Sequence, residues 1–370
     1  MRYFLSVLAS AALVLLLVVM LNWRIDPAGI FGQVEVNRQY AIALPKALQN
    51  SEYGIVIPNT VEDRVYKMEM ARSTLPHDCV LIGSSHVMQM GSSQKHRSLP
   101  GCKNILNLGV SGATLEDHIT LAWLSVRSQM PRKIFLGVDP WTLAYGKGEL
   151  WQIRYPDIYR QARSDIGSKP MSVPVFSSRW LNLIGFEYTF ISLENWWNKT
   201  QTAGMVEAPL IDDDSGWIHL ITLKDGSFVP SAVSISTASK SPVPIGGQPY
   251  KVSAPLNEID AIADYRLLIK WIQSQGVQPV LLMTPYHPNV WESAMSKNVL
   301  AMTATEKIVR DMAKDLNISA IGSYRPTDIG CTDDEFFDFM HPKPSCLAKI
   351  VDSTALKISK DQEGSVGGYK

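Results

Sequence analysis

The run VLIGSSHV at 80–87 ends three apolar residues with Gly-Ser-Ser-His, and FFDFMHPKPSC near the C-terminus sets Asp338 and His341 three residues apart on a Pro-flanked segment. Ser, His and Asp can together make an activated nucleophile. The imidazole takes the hydroxyl proton, and the carboxylate holds the imidazole's tautomer and stabilises its cation. GSSH by itself fits three roles: a plain strand-to-helix turn, a loop cradling phosphate, or a serine nucleophile on a tight turn. Phosphate binding asks for GxxxxGK[ST] or GxGxxG after a strand, and neither follows the apolar runs of this chain.

Other chemistry-bearing residues also stand at the ends of apolar runs. NLGVSGA brings Asn107 and Gly109, VDPW brings Asp139, and TPYHP brings His287. An open parallel sheet binds ligands beyond the carboxyl ends of its strands, where loops and helix N-termini converge. The runs CVLIG (79–83), NILNLG (104–109), KIFLGV (133–138), VQPVLLMT (277–284) and ISAIG (318–322) read as strands. Helical periodicity precedes or separates them at 61–75, 115–129, 256–275 and 292–316. Continuous apolar strands alternating with helices predict an α/β fold on a parallel sheet buried on both faces. Residues 61–144 and 256–360 are thus two parts of one core. Between them, 145–255 is an insertion or cap rich in Trp, Ser, Pro and Gly, with a hairpin or loop around 223–229. Residues 25–60 read as a linker with short elements, and 361–370 as a frayed tail.

Tyr3 to Leu21, YFLSVLASAALVLLLVVML, carries no charge. At about 1.5 Å per residue it reaches roughly the 30 Å of a bilayer core. A cleaved signal has a shorter apolar region and a small-x-small site, whereas this run continues into NWRIDPAGIF with Trp23 where an interfacial anchor belongs. The expectation for residues 1–24 is an uncleaved single-pass transmembrane anchor. Arg2 and the terminal amine favour a cytoplasmic N-terminus, with Arg24 on the other flank voting against.

Cys79 and Cys102 bracket the GSSH strand and the start of the next, and Cys331 and Cys346 bracket another local segment. In an exported body those two local pairs are the natural disulfides among three possible connectivities. The spacings match no compact zinc pattern, so neither a metal nor a cofactor is expected. Lys plus Arg and Asp plus Glu both total 35 in the 370 residues. Such a balance gives no reason to expect nucleic acid as a partner.

GSS early, NLGxSGA next and DxxH near the C-terminus resemble, in type and order, the SGNH (GDSL-like) hydrolase superfamily. The resemblance covers 61–141 and 256–350 and implies a flavodoxin-like sheet with helices on both faces. It makes Ser85 the nucleophile, His341 the general base and Asp338 its orienting carboxylate. The N–H groups of Ser85 and Gly109 become the oxyanion donors. Where the family carries Gly-x-Asn-Asp, this chain has GVDP with Asp139, and a carboxylate donates no hydrogen bond unless protonated. The anchor, GSS in place of GDS and the DPAGIF entry are most similar to the anchored SGNH-like proteins of bacterial envelope acylation. These include the D-alanine transfer protein of teichoic acids and the accessory proteins of alginate-type O-acetylation. That likeness implies a Ser-His-Asp O-acyltransferase or esterase at the inner membrane, its body in the periplasm or outside. Its substrate would be a cell-envelope polysaccharide, and a membrane-bound O-acyltransferase its acyl donor. A non-catalytic scaffold binding that acyltransferase or the glycan is the rival, and an esterase or lipase for soluble substrates a third reading.

Several residues keep two roles open. Ser84 occupies the variable place beside the nucleophile, and His86 is read as the first turn of the following helix rather than as a second base. Asn107 either orients the GSS turn or satisfies local backbone. Asp139 is a substrate contact or a turn residue. His287 touches substrate or supports the site. Trp196 with Trp197, and Trp180 with Trp217, form a sugar-stacking surface or pack against core or membrane.

Overall fold

Short aliphatic segments with side chains buried on both faces form the centre of the molecule. In chain order the elements are α1 (Arg2–Ile25), α2 (Glu35–Asn50), β1 (Gly54–Val56), α3 (Asp63–Arg72), β2 (Cys79–Ile82), β3 (Ile105–Asn107), α4 (Leu115–Ser128) and β4 (Lys133–Gly137). There follow α5 (Pro156–Asp165), α6 (Phe186–Asn198), β5 (Val206–Ala208), β6 (Ile221–Leu223), β7 (Phe228–Val229), α7 (Ile259–Ser274), β8 (Gln278–Met283), α8 (Lys297–Asp315) and β9 (Ser319–Gly322). The computed structural model describes residues 2–26, 31, 35–57, 62–91, 99, 101–145, 151–152, 155–169, 180–198, 205–211, 219–233, 235–236, 243–246, 257–293 and 296–351. Trp217 and the 361–370 tail lie outside them.

Five strands pair in parallel in the order β3-β2-β4-β8-β9. This α/β arrangement is the one read from the sequence, and all five expected strands are in it. Side chains alternate across the sheet as the two-residue period requires. Val80, Ile82, Ile134, Leu136, Leu281 and Met283 enter one core, while Cys79, Leu81, Phe135, Val280 and Leu282 enter the other. The first core is covered by α3, α4, α7 and α8; the second is covered by the turn at 85–90 and the helical segment 344–351, through Val87, Met90, Leu347 and Ile350. Strand order reverses between β2 and β4, which opens a crevice at their carboxyl ends. There Gly83 and Gly137 lie so close that a Cβ on Gly83 would meet the Val87 side chain at 2.9 Å and Gly137 Cα at 3.1 Å.

Two boundaries need correction. The segment read as a linker contains α2, which buries Ala41, Leu44 and Leu48 in the main core. Pro45 hides this helix from a propensity reading, because a proline inside a helix removes a backbone donor and is normally a break. The insertion is also smaller than expected. Its α5 belongs to the core: Tyr159 and Ala162 are buried there, and Asp165 accepts from Trp123 Nε1 of α4 at 2.8 Å. Its strands β5, β6 and β7 join β1 in an antiparallel sheet of order β5-β1-β6-β7, whose β6–β7 hairpin is the one expected at 223–229. That hairpin docks beside GSSH, with Asn107 N–H donating to Asp225 O at 2.7 Å and Phe228 N–H to Met88 O at 2.9 Å.

Helix α1 is apolar over Tyr3–Ile25 and long enough to cross a membrane. The disulfides Cys79–Cys102 and Cys331–Cys346 are both formed, as the spacing suggested.

Candidate active site

Ser85 opens a 3-10 turn (Ser85–Val87) directly after β2. Ser84, extended and fully buried, caps that turn by accepting the His86 N–H at 3.3 Å. Its hydroxyl therefore serves the backbone, while Ser85 stays half-buried and points elsewhere. Ser85 Oγ lies 2.9 Å from His341 Nε2, and His341 Nδ1 lies 2.8 Å from Asp338 Oδ2. The other carboxylate oxygen accepts the N–H groups of Met340 and His341 at 2.8 and 2.9 Å. Burial alone raises the Asp338 carboxyl; the hydrogen bond and charge of His341, with those two N–H groups, outweigh it and hold the group down at about 2. A carboxylate so held anchors the Nδ1 proton and leaves Nε2 free to accept from a hydroxyl.

The loop carrying Asp338 and His341 is tied at several points. Phe337 N–H donates to His341 O at 2.9 Å, Phe336 and Pro342 form an antiparallel bridge, and the Cys331–Cys346 disulfide closes the segment behind them. Lys343 N–H donates to Glu335 O at 2.8 Å, and His287 N–H donates to Phe339 O at 3.0 Å. His287 is buried, its ring set edge-to-face with Phe336 at 5.4 Å between centroids, and its Nδ1 accepts the Asn289 N–H at 3.0 Å. Burial lowers its proton affinity, against the pull of Asp333 and Asp338. Its observed contacts support the loop.

Asn107 resolves to the first of its two roles and includes the second. Its Nδ2 donates to Val87 O and Met90 O at 2.8 and 2.7 Å, stapling the Ser85 turn, and its Oδ1 accepts the Gly109 N–H at 2.8 Å. The Gly109 N–H was expected as an oxyanion donor; it is committed to Asn107 instead. The Ser85 N–H starts its turn and has no partner inside it, as the first donors of any helical turn do.

One pairing was missed at the sequence level. His86 is buried, with Nδ1 2.7 Å from Asp139 Oδ1 and 3.2 Å from Thr284 Oγ1. Tyr286 OH donates to the same carboxylate at 3.4 Å. His86 Nε2 is buried without a hydrogen-bond partner among the described residues, and its ring stands edge-on to His341 with centroids 5.2 Å apart. Asp139 is thus buried behind His86, and its N–H donates to Thr142 Oγ1 at 3.0 Å in a local turn. The available signal was register: Ile82 pairs with Leu136, so residues a few places beyond each strand end meet. Lys67 also escaped notice. Fully buried on α3, it donates to Asn107 O at 2.8 Å and Gly226 O at 2.5 Å, tying the β3 loop to the small sheet.

Among the described residues no group of three or more His, Cys, Asp or Glu is placed to hold a metal. Neither a family model nor a curated protein matches the chain.

Proposed function

We propose that this protein is a membrane-anchored SGNH-like acyl-transfer enzyme whose nucleophile is Ser85. The observation that carries the reading is the hydrogen-bonded chain Ser85–His341–Asp338, with links of 2.9 and 2.8 Å between residues from opposite ends of the body. Ser85 Oγ attacks an acyl carbonyl as His341 Nε2 takes its proton, forming a tetrahedral oxyanion near the Ser85 N–H. Collapse expels the leaving group, which takes the proton back from His341, and leaves an acyl-serine ester. An acceptor hydroxyl then gives its proton to His341 and takes the acyl group; the proton returns to Ser85. Water as acceptor makes the same machinery an esterase.

Two disulfides fit an oxidising compartment and α1 fits a single-pass anchor, and together they support the reading of an inner-membrane protein with its body in the periplasm or outside. An anchored enzyme there meets cell-envelope polysaccharide as acceptor, with a membrane-bound O-acyltransferase as the source of acyl groups. A second reading, a scaffold with the same fold that binds such partners without chemistry, draws on the oxyanion side. The Gly109 N–H is engaged by Asn107, and Asp139 is a carboxylate paired to His86.

The test is intact mass of the full chain in detergent after exposure to an activated acyl ester, beside Ser85→Ala and Ser84→Ala. An acyl-sized gain mapping to Ser85, absent in Ser85→Ala and kept in Ser84→Ala, is expected. No gain in folded protein favours the scaffold.

A further inference from the structure

Helix α6 is inside out for a helix of a soluble body. Phe186, Phe190, Leu193 and Trp197 recur at i, i+4, i+7 and i+11, one stripe of the helix, and that stripe faces outward; Phe186 is 88% and Phe190 64% exposed. Of its described side chains, those buried are Tyr188 and Ser192. Ile184, Ile191 and Trp196 are exposed as well. From Trp180 to Asn198 the sequence has only Glu187 and Glu194 as charges. Contiguous apolar surface of this kind marks a site that meets another apolar phase.

The position of α6 identifies that phase. Its polar side is fastened to the last turn of α1: Asn22 Nδ2 donates to Leu183 O and to Thr189 Oγ1, both at 2.8 Å, and Tyr188 OH donates to Asp26 Oδ1 at 2.9 Å. Asp26 Oδ2 in turn accepts the Phe31 N–H at 2.8 Å, and the Phe31 ring lies 5.6 Å from that of Trp180. The apolar face of α6 is therefore joined to the point where the apolar stretch of α1 ends, beside the half-exposed Trp23. Trp, Tyr and Phe are the residues that settle at the boundary between headgroups and acyl chains.

We infer that α6 is a second membrane element, lying in the plane of the bilayer surface with its Phe–Leu–Trp stripe among the outer acyl chains. The inference rests on the reading of α1 as a membrane anchor. Such a helix inserts about 5–10 Å, driven by buried apolar area. Since this face carries few charges, its binding does not need anionic lipid. A body held at two points, by a spanning helix and a surface helix locked together, cannot swing freely about its anchor.

All cysteines in the chain are in disulfides, so single added cysteines can be labelled selectively. The full chain is reconstituted in phosphatidylcholine vesicles, labelled with an environment-sensitive fluorophore at Phe190→Cys, Leu16→Cys or Lys307→Cys, and titrated with lipids carrying a shallow or a deep quencher. Leu16 reports the anchor, and Lys307 an exposed site on α8 away from it. The expected result is quenching at Phe190 by the shallow quencher, comparable in factor with deep quenching at Leu16, and none at Lys307. Leu193→Cys, on the same stripe, should repeat the Phe190 result if one label perturbs its site. Leu16 quenched with Phe190 and Leu193 unquenched overturns the proposal while the anchor stands, as expected of a face that covers a protein partner or a second copy. Leu16 unquenched removes the anchor and this inference with it.

Discussion

Asp338 works as a fixed anion. With both oxygens engaged and its proton affinity held down at about 2, it is ionised throughout any range in which His341 could act as a base. The stability it contributes, small because the side chain is half-exposed, is present above the ordinary aspartate value and is lost as pH falls from there towards about 2. An acid limb in an activity profile above about pH 4 therefore does not belong to this carboxylate. Asp338→Asn should slow acylation of Ser85 about ten thousandfold, because the imidazole loses its tautomer and its cation loses its counter-charge. Its melting temperature should barely move, since the side chain is half-exposed. Asp139→Asn should behave in the opposite way. It replaces the buried carboxylate facing His86 with a neutral amide, at a cost of about 2 kcal/mol, read as a fall in the urea midpoint. If Asp338→Asn acylates at the parental rate, the triad assignment is wrong.

At the scale of elements, what matters is how two loops from different ends of the chain are held still. Asn107 staples the Ser85 turn, and the Cys331–Cys346 bond closes the segment that presents Asp338 and His341. A bridge of sequence separation 15 restricts the unfolded chain by about 3 kcal/mol. The double substitution Cys331→Ser with Cys346→Ser should lower stability by about that amount and slow acylation as well, measured by thermal melts and adduct kinetics. Unchanged kinetics would mean that the backbone bonds at 335–343 suffice to hold the loop. The strands of this framework were legible in sequence because a buried parallel strand must be apolar on both faces, as VLI and IFL are. Helix α2 was not, since Pro45 contradicts local propensity and only packing of Ala41, Leu44 and Leu48 sustains the helix.

For the whole molecule, Lys67 joins the two sheets. Burial drives its ammonium down to about 7, against the pull of Asp63 and Asp225. Between about pH 7 and the ordinary lysine value the folded chain binds fewer protons at this group than the unfolded chain, so stability should rise with pH across that window and be flat in this group below it. Lys67→Met should flatten that rise, as seen by comparing denaturation midpoints at neutral and alkaline pH. A rise that survives in Lys67→Met would assign it to other groups.

Residue type and local period carry much of this protein. Few side-chain types can supply a nucleophile, a base and an orienting acid, so Ser85, His341 and Asp338 stand out as candidates before any folding, and apolar runs of strand length dictate an α/β sheet. Short spacing also suffices to pair the cysteines. The tertiary structure alone decided the rest, because those features depend on what a group meets across the chain. Gly109 N–H turns to Asn107, Asp139 finds His86 across neighbouring strand ends, and α6 displays Phe and Trp outward only because its polar side is taken by Asn22 and Asp26 at the end of α1. Hydrogen-bond partners and burial are properties of the packed chain, and sequence separation does not encode them.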